Sequence, residues 1–137
     1  MFSHVMLGAN DIEESKEFYD QILPVLGARP GKLSLNHDGH TRYVYFVNNK
    51  NSFIISQPIN NEKASHGNGA TIGFNASSTD MVDGWYQAGK NAGGTDPELC
   101  DPPGIREGGG AQLYLAYLSD PSGNKICAMY RIPRQID

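Results

Sequence analysis

The stretch "HVMLGANDIEESKEFYDQILPVLGARP", residues 4–30, fixes the plan of the chain. It opens with alternating residues through Gly8, the period of a strand. Asp11 then stands where a helix cap belongs, and Glu14 follows three residues later, as in a capping box. Ile12, Ser15, Phe18, Tyr19, Ile22 and Leu26 recur at helical spacing. Gly27 supplies the stop. The same sentence is written again as "TIGFNASSTDMVDGWYQAGKNAGGTDP", residues 71–97. At an offset of 67 residues His4 falls on Thr71, Phe18 on Trp85, Tyr19 on Tyr86 and Pro30 on Pro97. Ser78 is the second helix cap, Val82, Trp85, Tyr86 and Gly89 lie along that helix, and Gly93-Gly94 ends it. Order, spacing and residue type agree, so the chain reads as an internal duplication.

The rest fills in around these units. Strands are expected over about 28–35, 40–47 and 52–57. A polar linker, "PINNEKASHGNG", occupies residues 58–69. In the second half a strand is expected over 70–76, another near 95–100, then a flexible loop "DPPGIREGGG", then strands near 112–119 and 124–131. Glycine gives residues 104–111 many backbone states, and that segment is expected to be mobile. The fold class is therefore α+β. Two βαβββ modules, about 1–57 and 70–131, make one domain over 1–137. Either module alone would leave a sheet face bare, so the two should pack together. Phe18, Tyr19 and Trp85 belong on the core faces of the helices.

Composition narrows the function. The 137 residues are 39% hydrophobic and 19% charged, with a net charge of −4. A chain of this length buries about two thirds of its unfolded surface. An acidic balance without a basic cluster argues against nucleic acid or an anionic membrane as partner. No apolar run approaches the roughly 18 residues of a membrane span, and the N-terminus has no signal-peptide pattern. A cytoplasmic location is expected, where Cys100 and Cys127 stay reduced. No Ser-His-Asp set, phosphate-binding loop or dinucleotide fingerprint is present. The acidic residues Asp11, Glu13, Glu14, Asp80 and Asp83 belong to helix starts.

The closing motif "SDPSGNKICAMY", residues 119–130, is a turn followed by a strand. Pro121 and Gly123 occupy positions that suit a type I turn beginning at Asp120. Together with "HVML" and the "FY…LG" of the first helix, "DPSGNKI" resembles the vicinal oxygen chelate superfamily, which includes glyoxalase I, bleomycin-resistance proteins and extradiol dioxygenases. "PPGIR" before the penultimate strand is similar to its small single-domain members. The resemblance covers the whole chain. It implies a curved, eight-stranded arrangement of two modules around a ligand cavity, and commonly a homodimer.

In the metalloenzymes of that superfamily, four inward His or Glu side chains hold a divalent metal, one on the first and one on the last strand of each module. Matched to this chain, those positions are His4, Ser56, Thr71 and Cys127. Only His4 keeps the pattern, and Cys127 stands where a glutamate is usual. Serine and threonine hydroxyls are poor ligands, so no metal or other cofactor is favoured. If a divalent metal is bound, His4 and Cys127 are its candidate ligands. The leading expectation is a small-molecule-binding protein. The rival is a metal-dependent lyase, isomerase or dioxygenase using His4 and atypical ligands. A regulatory or interaction domain is a third option, for which no partner motif is present. As cavity-lining candidates the sequence offers His4, Ser56, Thr71, Arg106, Tyr114 and Cys127. Arg106 sits beside the glycine run, where a guanidinium can pair with a carboxylate or phosphate. Tyr114 and Tyr117 have opposite strand parity, so one points inward and one away. Buried free cysteine is commonly a small hydrophobe, and Cys127 is read as filling an inward position.

Overall fold

A computed structural model describes residues 1–46 and 51–134. Local signals set the helix starts as expected. Asp11 caps α1 (Ile12–Ile22), its side chain accepting from the Glu14 backbone N–H. Ser78 caps α2 (Thr79–Asn91) and accepts from Met81 N–H. Pro24 cannot continue the α1 ladder. A 3-10 turn, Pro24–Leu26, therefore follows, and Gly27 closes it at φ +96°.

Among the described residues the strands fall into two four-stranded sheets, with no closed barrel. The first holds β1 (His4–Gly8), β2 (Lys32–Leu35), β3 (Thr41–Phe46) and β4 (Ser52–Ser56) in the order β1-β4-β3-β2. The second holds β5 (Ile72–Asn75), β6 (Gly104–Gly108), β7 (Ala111–Ser119) and β8 (Lys125–Arg131) in the equivalent order β5-β8-β7-β6. In each sheet the first strand runs parallel to the last and the other pairs are antiparallel. The duplicated α+β architecture is thus present. Val47, at the end of the strand expected over 40–47, lies outside the described residues.

Two expectations for the second half are corrected. The strand expected near 95–100 reduces to a single bridge from Thr95 to Ser119. Pro97 lacks a ladder donor, and Leu99 turns to φ +64°. The fourth strand comes instead from the segment read as a mobile loop. Gly104–Gly108 pairs with Ala111–Leu115, and the glycine run makes the turn. Gly109 and Gly110 have φ of +59° and +78°, the two positive values that a two-residue hairpin turn of type I′ requires.

Both helices pack on the same side and share one core. Phe18, Tyr19, Ile22, Val82, Trp85, Leu118 and Ile126 are inaccessible to solvent. A Cβ on Gly89 would lie 2.2 Å from Leu118 Cδ1, so glycine there lets α2 settle onto β7. The rings of Phe53 and Phe74 meet edge to face at 5.1 Å across the two modules.

The turn before β8 clasps the halves together. The Asp120 carboxylate accepts from the Ser122 and Asn124 backbone N–H groups and from the Asn124 amide. It also accepts from the hydroxyl of Tyr19, on α1, at 2.6 Å. Asn124 Nδ2 donates in turn to the carbonyl of Gly8, at the end of β1. Burial first, and then the Asp120 charge, hold the Tyr19 phenol well above its ordinary pKa. It stays a donor throughout the physiological range.

Tyr19→Phe should therefore leave the fold intact and weaken it by about 1–3 kcal/mol, because a buried carboxylate loses one donor. Urea titration checks this. The midpoint should fall with an unchanged slope, and an unchanged midpoint would show that the clasp carries no stability.

Candidate functional site

Strand parity divides each sheet into a helix face and an open face. On the first sheet Tyr43 and Tyr45 reach the α1 side, where their hydroxyls donate to Glu13 and Asp20. Arg42 therefore projects from the open face. It is paired laterally with Ser56, and Ser56 with Gly8. Above this row the linker folds back over the sheet. Asn10 Oδ1 accepts from Ala64 N–H at 2.7 Å, and His40 Nε2 lies 3.0 Å from Asn61 Oδ1. A Cβ on Gly8 would come within 3.0 Å of Ala64 Cβ, so the linker rests directly on the end of β1.

Between sheet and linker is a cleft of about 420 Å³. Its floor is Met6, Leu7, Gly8, Arg42 and Ser56, and its far side is residues 57–60 and 63–65. The cavity was expected between the modules. This cleft is lined by the first module and the linker alone, because the shared core lies on the helix side of both sheets.

Arg42 is held in place. Its Nε donates to Ser56 Oγ at 3.0 Å, and Ser56 Oγ donates onward to the Gln57 carbonyl at 2.9 Å. Ser56 is buried. Gln57 continues the β3–β4 ladder by exchanging bonds with Thr41, its side-chain oxygen accepting from Thr41 N–H.

Of the six residues expected to line a cavity, only Ser56 lines this cleft. His4 is exposed at the start of β1, its Nδ1 2.8 Å from Ser3 Oγ. Thr71 is exposed just ahead of β5. Arg106 belongs to β6, and its guanidinium donates to the carbonyls of Pro102 at 2.7 Å and Ile105 at 3.3 Å. Tyr114 takes the helix face, donating its hydroxyl to Asp83 of α2 at 2.7 Å. The tyrosine of opposite parity, Tyr117, is paired with Cys127 on the open face, under the Lys125 ammonium. Cys127 is buried there, its sulfur 3.1 Å from where a Gly73 Cβ would stand.

The register also changes the comparison between modules. Met6 and Gly73 are 67 residues apart and pair with Ile54 and Cys127, which are 73 apart. The counterpart of Cys127 is therefore Ile54, while Ser56 corresponds to Met129. A metal held in the manner of the superfamily would meet one imidazole, an isoleucine, a threonine and a cysteine. Burial pushes the Cys127 thiol up to about 11, with Lys125 pulling the other way and Cys100 adding to the rise. At neutral pH and without a metal beside it, it stays a protonated thiol, the poorly nucleophilic form. Ser56 is no substitute. It lies four residues beyond the row of His4, about 13 Å along the strand, and beside a guanidinium. A catalytic zinc needs about three protein donors. These residues do not fit one, and no group of three His, Cys, Asp or Glu side chains converges among the described residues.

The family model described as Glyoxalase/Bleomycin resistance protein/Dioxygenase superfamily matches residues 1–128. The chain belongs to this superfamily. Among solved structures it is similar to a glyoxalase/bleomycin resistance protein from Albidiferax ferrireducens T118. That match has 50% identity and a TM-score of 0.85, and covers 96% of this chain and 99% of the other. A glyoxalase/bleomycin resistance protein/dioxygenase family enzyme from Burkholderia phytofirmans PsJN shares the fold at 15% identity and a TM-score of 0.67, covering 95% and 98%. So does the structure named Oxidase ChaP-H1, at 19% identity and 0.65, covering 96% of each chain. No curated protein matches. No helix among the described residues is long and apolar enough to cross a membrane.

Lys63 and the linker around it, which sequence reasoning passed over, form one wall of this cleft. The available signal was the polar linker itself, which leaves β4 directly at the open face.

For Cys127 the expected chemistry is inertness. Native protein treated with iodoacetamide at pH 7.5 should be alkylated at half-buried Cys100 well before Cys127. The neutral thiol is fully compatible with the fold below pH 9, and this contribution is lost as pH rises toward 11. Peptide mass mapping showing Cys127 modified as fast as Cys100 would contradict this.

Proposed function

We propose that this protein is a small-molecule-binding member of the glyoxalase/bleomycin-resistance group, and that its ligand occupies the cleft between the open face of the first sheet and the linker. One observation carries the reading: a cleft of ligand size in which fixed polar groups, Arg42 on Ser56 above all, converge beside apolar surface from Met6 and Ile59. Few polar groups at defined positions against an apolar wall are the usual makings of a small-ligand site. A metal-dependent lyase, isomerase or dioxygenase needs donors that His4, Ile54, Thr71 and Cys127 do not supply. That lack supports a reading of binding without turnover, and so of sequestration.

The working unit in this reading is a homodimer in the cytoplasm. Strands β2 and β6 are edge strands on which Leu33, Leu35 and Ile105 are exposed, and Phe46 and Met6 are exposed on the open face. Such edges and faces favour pairing with a second copy. Both cysteines are free thiols, as a reducing compartment keeps them.

Amide chemical shifts recorded against a library of small organic molecules test the site. Hits should move Gly8, Gln57 and Ala64 together, and Gly8→Val, which pushes the linker off β1, should weaken them at least tenfold. Hits that instead cluster on Tyr117, Cys127 and Met129 would move the site to the second module. Light scattering at micromolar concentration should give twice the chain mass, and a monomer would remove the dimer.

A further inference from the structure

The cleft is positive in a protein that is negative overall. The chain carries a net charge of −4, yet the charged residues lining the cleft are Arg42 and Lys63, with no carboxylate among them. Among the described residues the ion pairs are Lys16–Asp20, His37–Asp38 and Lys90–Asp96. None neutralises Arg42 or Lys63. Glu62, next to Lys63 in sequence, accepts from the Asn60 amide at 3.4 Å and is not a lining group.

The two cations differ in kind. Arg42 is half-buried and held by Ser56 through Nε, a fixed planar donor of the sort that grips oxyanions. Lys63 is exposed on the linker, a compact charge on a flexible stem that comes from the opposite wall. Apolar Met6, Pro58 and Ile59 complete the cleft.

We propose that the ligand is a small organic anion, a carboxylate or phosphate monoester on a compact apolar body, with its charged group held between Arg42 and Lys63. This rests on the cleft being the ligand site and adds the chemical class. Fixed Arg42 sets the position of the anion. Lys63 adds attraction that salt screens, and the apolar wall takes the remainder of the ligand.

Four probes of matched shape test it: phenylacetate, phenyl phosphate, phenylacetamide and phenethylamine, titrated while amide shifts of Gly8, Gln57 and Ala64 are followed. Phenylacetate, phenyl phosphate or both should bind at least tenfold more tightly than phenylacetamide, and phenethylamine more weakly still. Which anion binds better separates a carboxylate ligand from a phosphate one. Arg42→Gln should cost the anions at least tenfold and phenylacetamide far less. Lys63→Ala, at an exposed position where folding is not at stake, should cost them several-fold and flatten the salt dependence. Phenylacetamide binding in the cleft as tightly as phenylacetate would overturn the anion class and leave the cleft standing. If no probe moves these residues, the cleft itself falls as the ligand site, and the anion proposal falls with it.

Discussion

The buried Asp120 carboxylate organises much of this molecule. Leaving a charge inside a protein is costly unless donors surround it. Asp120 meets that demand from both halves of the chain. Its own turn supplies backbone N–H groups and the Asn124 amide, and α1 supplies the Tyr19 hydroxyl. The Tyr19 donor is met only when the turn before β8 sits against α1, and Asn124 fastens the same turn to the end of β1. The position of one module relative to the other is thus tied to a local electrostatic demand as well as to apolar area.

The effect reaches the cleft through Asn10. This residue donates its N–H to Ser122 Oγ at 2.9 Å, beside the clasp, and its side chain accepts from Ala64 N–H on the linker. Lys125 N–H points at His66 Nδ1, at 3.5 Å, one step further along the linker. The second module lines none of the cleft, yet it helps to position the wall that carries Lys63. Arg42 is fixed from the other side, by its lateral pairing with Ser56. One wall is set by sheet register and the other by a hydrogen-bonded relay that begins at Asp120.

What the sequence made legible was local. Asp11 and Ser78 announce helices because a cap acts within its own turn, and Phe18, Tyr19 and Trp85 announce core because the helical period puts them on one face. The glycine run was opaque for the opposite reason. "GIREGGG" has the composition of a loop, and only pairing with residues 111–115 makes it a strand. Register was opaque too. Parity tells which face a side chain takes and not which neighbour it meets, so six additional residues in the second module made Ser56 look like the counterpart of Cys127. The partners of Arg42 were hidden because they are a serine 14 positions away and a lysine on a linker that folds back. None of these is a short-range pattern. The Tyr114 and Tyr117 alternatives were narrowed by alternation, and the Asp83 contact decided between them.

Connectivity and cohesion come apart in this fold. The modules are joined covalently through residues 67–70, where Gly67, Asn68, Gly69 and Ala70 are all exposed. What holds the halves together lies elsewhere, in the Phe53–Phe74 contact, the packing of α1 on α2 and the bonds from Asp120 and Asn124. The peptide link supplies proximity, raising the effective concentration of one half near the other. A nick at Asn68–Gly69 would cut none of those contacts directly and would leave the whole cleft lining on the N-terminal fragment. The two pieces are then partners in a heterodimer in all but genetic origin, and the duplication is two self-complementary halves that one peptide bond has made inseparable.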